Sequence, residues 1–231
     1  GEQNQNPIAL YNLGVMYYEG VENVVSMDKQ KASEFYQKAA DLGNVKAQFN
    51  LALLYSEGDG IPQDKQKAAE LYEKAAKKGN SKAQINLALM YALGDGIEPN
   101  LPRAVELFTK AANQDDAEAQ YNLGLLYSQG RGVPQDKEKA VELFTKSAAK
   151  GNVEAQFNLG VLYQNEHDDE KAFKYYQMAA DKGNVQAQFN LGVIYSRGIE
   201  GVLEKDMSKS AHFFQLAADK GEVDALINLG T

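Results

Sequence analysis

The chain has 231 residues, 44% hydrophobic and 24% charged, a balance that belongs to ordered protein rather than to a disordered segment. Its formal charge of −8 argues against nucleic acid and anionic membranes as partners, since such binders carry a basic surface. Without Cys there are no disulfides, thiol nucleophiles or thiolate metal sites, and no apolar run approaches the ~18–20 residues of a membrane helix, so membrane insertion is not expected.

Along the chain Asn-Leu is followed by Gly or Ala seven times, at Asn12, Asn50, Asn86, Asn122, Asn158, Asn190 and Asn228. The steps between them are 38, 36, 36, 36, 32 and 38 residues. A period of this size marks a repeat architecture in which each unit buries its apolar face against its neighbours.

The first helix is expected to begin near Pro7, because Asn6-Pro7 aligns with Asn44-Val45. Within the third unit the grammar is plainest. Ala83, Leu87, Met90 and Tyr91 have helical spacing, so a helix A is expected over about Ser81–Leu93, capped by Asn80 or Ser81. Gly94-Asp95-Gly96-Ile97 breaks it. A helix B then starts behind Asn100, with Pro102 in its first turn, and carries Ala104, Leu107, Phe108, Ala111 and Ala112 on one face.

The other units repeat the pattern. Asp28, Asp64, Asn100, Asp136, Asp168 and Asp206 are the expected caps of helix B, each four residues before a small residue. Gly43, Gly79, Gly151, Gly183 and Gly221 stop helix B, with Asp115 in that place in the third unit. The Gly or Ala after Asn-Leu is expected to let two helix backbones approach. The Tyr three residues beyond it (Tyr17, Tyr55, Tyr91, Tyr127, Tyr163, Tyr195) is expected to pack on the helix B aromatic (Tyr36, Tyr72, Phe108, Phe144, Tyr176, Phe214).

The expected fold is all-α, a right-handed α-α superhelix (a solenoid) of about six helical hairpins plus a truncated final helix, with helices A inside and helices B outside. The whole of 1–231 reads as one solenoid, with units near 6–43, 44–79, 80–115, 116–151, 152–183 and 184–221 and a partial unit at 222–231. Starting at Gly1 and stopping partway through a repeat, the chain reads as a segment of something longer, and its compartment stays open.

Ala47–Tyr55, Gly58–Asp64, Lys67–Ala76 and Gly79–Asn80 together carry A-x-x-N-L-G/A-x-x-Y, G-x-G-V/I-P-x-D, K-A-x-x-x-Y/F-x-K-A-A and G-N. On these motifs the chain resembles the Sel1-like repeat family, a relative of the tetratricopeptide repeats. The resemblance implies an adaptor, bacterial in style, that holds other proteins. Three loops depart from the pattern. Between Tyr163 and Ala172 the Gly-x-Gly loop is lost, which is expected to reverse the chain abruptly and shorten that hairpin. Gly20–Met27 and Gly198–Lys205 each carry two extra residues and are more hydrophobic.

Catalytic signatures are absent from the sequence: there is no G-x-S-x-G, no Walker loop and no dinucleotide fingerprint. His167, amid Glu166, Asp168, Asp169 and Glu170, invites a metal reading. Its carboxylates are contiguous rather than i, i+4, so no metal and no cofactor is expected. The candidate site is instead the groove lined by the A helices. It is formed by Asn12, Asn50, Asn86, Asn122, Asn158 and Asn190 with the preceding Tyr11, Phe49, Tyr121, Phe157 and Phe189. In tetratricopeptide repeats, which the chain resembles, the equivalent Asn can face the groove and bond a peptide main chain. An amide, donor and acceptor at once, suits that task. The other reading has each Asn bonding the neighbouring unit and pinning the stack.

The function expected is therefore a non-enzymatic scaffold that holds a peptide or protein segment. Two alternatives stand beside it: a structural or self-associating region, stacking end to end through Ala225, Leu226, Ile227 and Leu229, or the accessory part of an enzyme. The outer faces of the B helices (Lys65, Lys67, Glu70, Glu73, Lys74; Lys137, Glu138, Lys139, Glu142) read as solvated, with ion pairs worth ~0.2–0.5 kcal/mol each.

Overall fold

Short-range chemistry explains the elements. In the computed structural model, which describes residues 6–229, the described residues are 72% helical. The described residues form thirteen helices and no strand: α1 (Pro7–Glu19), α2 (Lys29–Asp41), α3 (Val45–Glu57), α4 (Lys65–Lys77), α5 (Ser81–Leu93), α6 (Leu101–Ala112), α7 (Ala117–Gln129), α8 (Lys137–Ala149), α9 (Val153–Asn165), α10 (Asp169–Asp181), α11 (Val185–Arg197), α12 (Met207–Ala218) and α13 (Val223–Leu229). Odd numbers are helices A and even numbers helices B, so consecutive helices make hairpins, as expected.

Each B helix starts where an Asx side chain takes up an orphan N–H. Asp28, Asp64, Asn100, Asp136, Asp168 and Asp206 accept from the backbone three residues on, at 2.8–3.1 Å. The N–H of each cap in turn donates to the carbonyl of the Tyr in the preceding A helix, at 2.7–3.0 Å. This closure is the same in all six hairpins, whatever the loop between. The hairpin at Tyr163–Ala172 is shortened, as expected, and in its link alone: α9 and α10 keep 13 residues each. His167, at φ +60°, makes that abrupt turn.

The described chain packs as two compact units. One runs to Ala119 and includes Arg131–Val133; the other comprises Gln120–Gly130 and the residues from Pro134 onward. In both, the core is a layer of Ala and Leu around one fully buried ring per B helix: Tyr36, Tyr72 and Phe108 in the first, Phe144 and Tyr176 in the second. Removing each such ring from water stabilises the fold by about 1.5–3 kcal/mol.

Two packing expectations need correcting. In three hairpins the helix A Tyr stacks on a ring other than that central one. Tyr17 stacks on Phe35, Tyr163 on Tyr175 and Tyr195 on Phe213, at centroid distances of 5.4–5.6 Å, one residue earlier in helix B. The small residue after Asn-Leu serves the ring rather than a backbone. A Cβ on Gly14 or Gly160 would lie 2.5 Å from a ring carbon of Tyr36 or Tyr176. The reason is rotational: one residue along a helix turns the side chain by about 100°.

Between hairpins of the first unit, Lys29 meets Asp59 at 2.6 Å, Lys65 meets Asp95, and Arg103 meets Glu73 at 2.9 Å. Part of the charge read as a solvated face thus ties one hairpin to the next. In the second unit Ile199 and Leu203, joined by a backbone bridge, pack from the longer sixth loop onto the cluster of Ala172 and Tyr176.

Candidate functional site

The ladder Asn residues have the same chemistry but not the same partners, and the residue fourteen positions earlier decides. Where that residue is Tyr, the amide faces its hydroxyl from the following hairpin. Asn86 donates to the Tyr72 hydroxyl at 3.3 Å, and the amides of Asn50 and Asn190 lie near enough to the Tyr36 and Tyr176 hydroxyls to oppose the effect of their burial. Tyr176 also donates to Gln164 Oε1 at 2.7 Å. Burial pushes all three phenols up to about 12, against the pull of the Asn amides, so each stays a neutral hydroxyl at physiological pH.

Where a Phe stands there, the amide turns elsewhere. Asn158, opposite Phe144, donates to the Glu154 carbonyl of its own helix at 2.8 Å. Asn12 is exposed, while Asn50, Asn86, Asn122, Asn158 and Asn190 are half-buried. The aromatic row is half-buried too. Tyr11, Phe49, Tyr121, Phe157 and Phe189 each tilt against the central ring of their own hairpin, at 5.6–5.9 Å.

Two depressions open on the A-helix face of the first unit. One, of about 190 Å³, lies between α1 and α3 and is lined by Tyr11, Val15, Tyr18, Glu19, Tyr36, Asn50 and Leu53. The next, of about 300 Å³, lies between α3 and α5 and is lined by Leu53, Ser56, Glu57, Tyr72, Asn86, Leu89, Met90, Leu93 and Asp95. Each is lined by an Asn amide, a phenol, aliphatic side chains and a carboxylate. Of the residues singled out in the sequence, Tyr11 and Asn50 meet in the first depression and Asn86 lies in the second.

Glu19 and Glu57 were not singled out in the sequence; their signal was a carboxylate closing helix A in the first two units only. A second row was also missed. Gln48, Gln84, Gln156 and Gln188, two residues before the ladder Asn, are buried and donate to the carbonyls of Ala40, Ala76, Ala148 and Ala180 at 3.0–3.3 Å. A recurring Gln on an otherwise apolar helix flank was the legible sign. This row, rather than the Asn row, is the uniform polar lock between a B helix and the next A helix.

No helix of the described residues is long and apolar enough to cross a membrane. Comparison with known proteins agrees with the hairpin pattern. The Sel1 repeat model matches residues 7–44, 45–80, 81–116, 117–152, 153–184 and 185–222. Among solved structures, the chain is similar to c5321, a protective antigen of uropathogenic Escherichia coli with an SLR fold. Identity is 35% over 97% of this chain and 48% of that one, with a TM-score of 0.89. It is also similar to a Sel1 repeat protein from Oxalobacter formigenes, at 33% identity over 98% of this chain and 66% of that one, with a TM-score of 0.85. The chain thus spans about half to two thirds of the length of these relatives. An immunity protein of Pseudomonas aeruginosa, Pa5087, shares the fold alone, at 23% identity and a TM-score of 0.53. With matches in six consecutive repeats from residue 7 to residue 222, the chain belongs to the Sel1 repeat family.

Proposed function

We infer that this chain is a non-enzymatic scaffold that holds a peptide or protein segment on its A-helix face. Sel1 repeat proteins generally mediate protein–protein interaction, and their fold is typically a non-catalytic scaffold. The observation that carries the reading is the repeated lining of the two depressions, in which an amide, a phenol and aliphatic side chains recur at successive hairpins. A single amide on a phenol is a packing detail; the same set beside open volume twice in register suits a chain with a repeating backbone. Being tied to Tyr72 does not remove Asn86 from binding, because an amide that donates through one hydrogen retains a second donor and its carbonyl.

The test is selection from a displayed random-peptide library, followed by calorimetric titration of a recovered peptide. Asn50→Ala with Asn86→Ala should weaken binding about tenfold, the loss of about 1.4 kcal/mol. Glu70→Ala with Lys74→Ala, on the outer face of α4, should leave it unchanged. Equal affinity for both pairs of variants would overturn the reading. A second reading, association between copies, draws support from α13, whose Leu226 and Ile227 are 56% and 61% exposed.

A further inference from the structure

The buried Gln row has a second half. The amide of Gln84 is used at both ends. Its Nε2 donates to the Ala76 carbonyl at the end of α4, and its Oε1 accepts from Gln114 Nε2, just past the end of α6, at 2.8 Å. One side chain on α5 thus joins the ends of two successive B helices. Gln120 Oε1 is likewise met from the following helix B, by the ammonium of Lys150 at 3.2 Å.

Gln48, Gln156 and Gln188 make only the first half of that link. Their Nε2 groups donate to the carbonyls of Ala40, Ala148 and Ala180. Their Oε1 atoms are buried and accept from no donor among the described residues. Such an oxygen is costly, because it has given up water and gained no donor in exchange. In each case a lysine stands at the place that Gln114 and Lys150 occupy. Lys78, Lys182 and Lys220 follow the ends of α4, α10 and α12 and donate to the carbonyls of Gly43, Gly151 and Gly183 at 2.8–2.9 Å. Each of these glycines lies five residues before the orphaned Gln. An ammonium has three donors, and the glycine carbonyl takes one.

We propose that Lys78, Lys182 and Lys220 are straps that close over the oxygens of Gln48, Gln156 and Gln188, so that each amide couples the B helices on either side of it as Gln84 does. Lys150 shows that the reach suffices, because it holds the Gln120 oxygen from the corresponding place. Closing moves only the end of a flexible, exposed side chain, and the ammonium has hydrogens for both oxygens. The strap adds a contact between neighbouring repeats, and such contacts are what couple the folding of one repeat to the next.

The test is a double-mutant cycle read by urea denaturation. Lys182→Met keeps the aliphatic stem and removes the donors, and Gln156→Leu removes the acceptor. Lys182→Met should lower the urea midpoint of the wild type by about twice as much as, or more than twice as much as, that of the Gln156→Leu protein. Equal losses on the two backgrounds would mean that the ammonium serves the Gly151 carbonyl alone, and the proposal is overturned. Because Gln156→Leu also removes the bond to Ala148, a crystal structure of the unmutated chain supplies a second reading. Lysine ammonium groups within about 3.2 Å of the three Gln oxygens support the straps. Ordered water on those oxygens, with the lysines on the glycines alone, overturns them.

Discussion

A phenol hydroxyl decides what each ladder Asn does. Tyr72 accepts from the amide of Asn86, and Tyr36 and Tyr176 face those of Asn50 and Asn190, whereas Phe144 leaves Asn158 to its own helix. The chain therefore already contains the Tyr→Phe change at other hairpins, so Tyr36→Phe, Tyr72→Phe and Tyr176→Phe should each cost only about 1 kcal/mol at neutral pH. Their effect should grow distinctive in alkali. Burial raises the three phenols to about 12, above the ~10 of an unfolded tyrosine, so the folded chain holds these protons more tightly. That contribution is complete below pH ~10 and is lost as pH rises through about 12. The urea midpoint of the wild type should fall more steeply over that window than that of the triple Phe variant, and parallel curves would contradict the assignment.

At the scale of the element, hairpins tolerate loops of different length because their ends are fixed twice, by the Asx cap and by the cap N–H on the preceding Tyr carbonyl. Contact with the next hairpin is less forgiving. Gly96 has φ +77° and lies against Lys65 so closely that an added Cβ would overlap the Lys65 side chain. Gly79, at φ +86°, has nothing within 4 Å of an added Cβ. Both Ala variants carry the left-handed strain of about 1–2 kcal/mol, but only Gly96→Ala adds overpacking of about 1–3 kcal/mol. Chemical denaturation should therefore rank Gly96→Ala clearly below Gly79→Ala; equal losses would show that loop and helix B do not bear on each other. In the first unit the second Gly of each Gly-x-Gly loop thus sets the approach of one hairpin to the next.

At the scale of the molecule, stability in a repeat array is a sum of units and of the contacts between neighbours, so an element with one neighbour is the least supported. Of α13, Ala225 is fully buried against α12, while Val223, Leu226 and Ile227 remain open. If copies associate through this face, light scattering should show mass rising with concentration, and Leu226→Asp with Ile227→Asp should hold the mass constant. A wild-type mass that stays monomeric at high concentration would exclude that association. The outcome bears on the scaffold reading as well, since the proposed peptide site uses α1, α3 and α5 and does not require α13.

Helices, caps and the hairpin order were legible in the residues because each depends on partners within about four positions: Asp64 finds the N–H of Lys67, and Gly94 supplies the turn that ends α5. The site was legible only in part. Tyr11, Asn50 and Asn86 were singled out, but Glu19, Glu57, the phenols beside them and the buried Gln row were not. The Tyr17–Phe35 stack was read one residue out of place. Helical period says which side chains share one flank of a helix. It does not say which atoms of the adjoining hairpin come within 3 Å of them, because that rests on the rotation and rise between packed helices, where one residue moves a side chain by about 100° and 1.5 Å. Sequence alone therefore determined the repeat and its elements. Only tertiary packing decided which amides face phenols and where open volume, amide and carboxylate coincide.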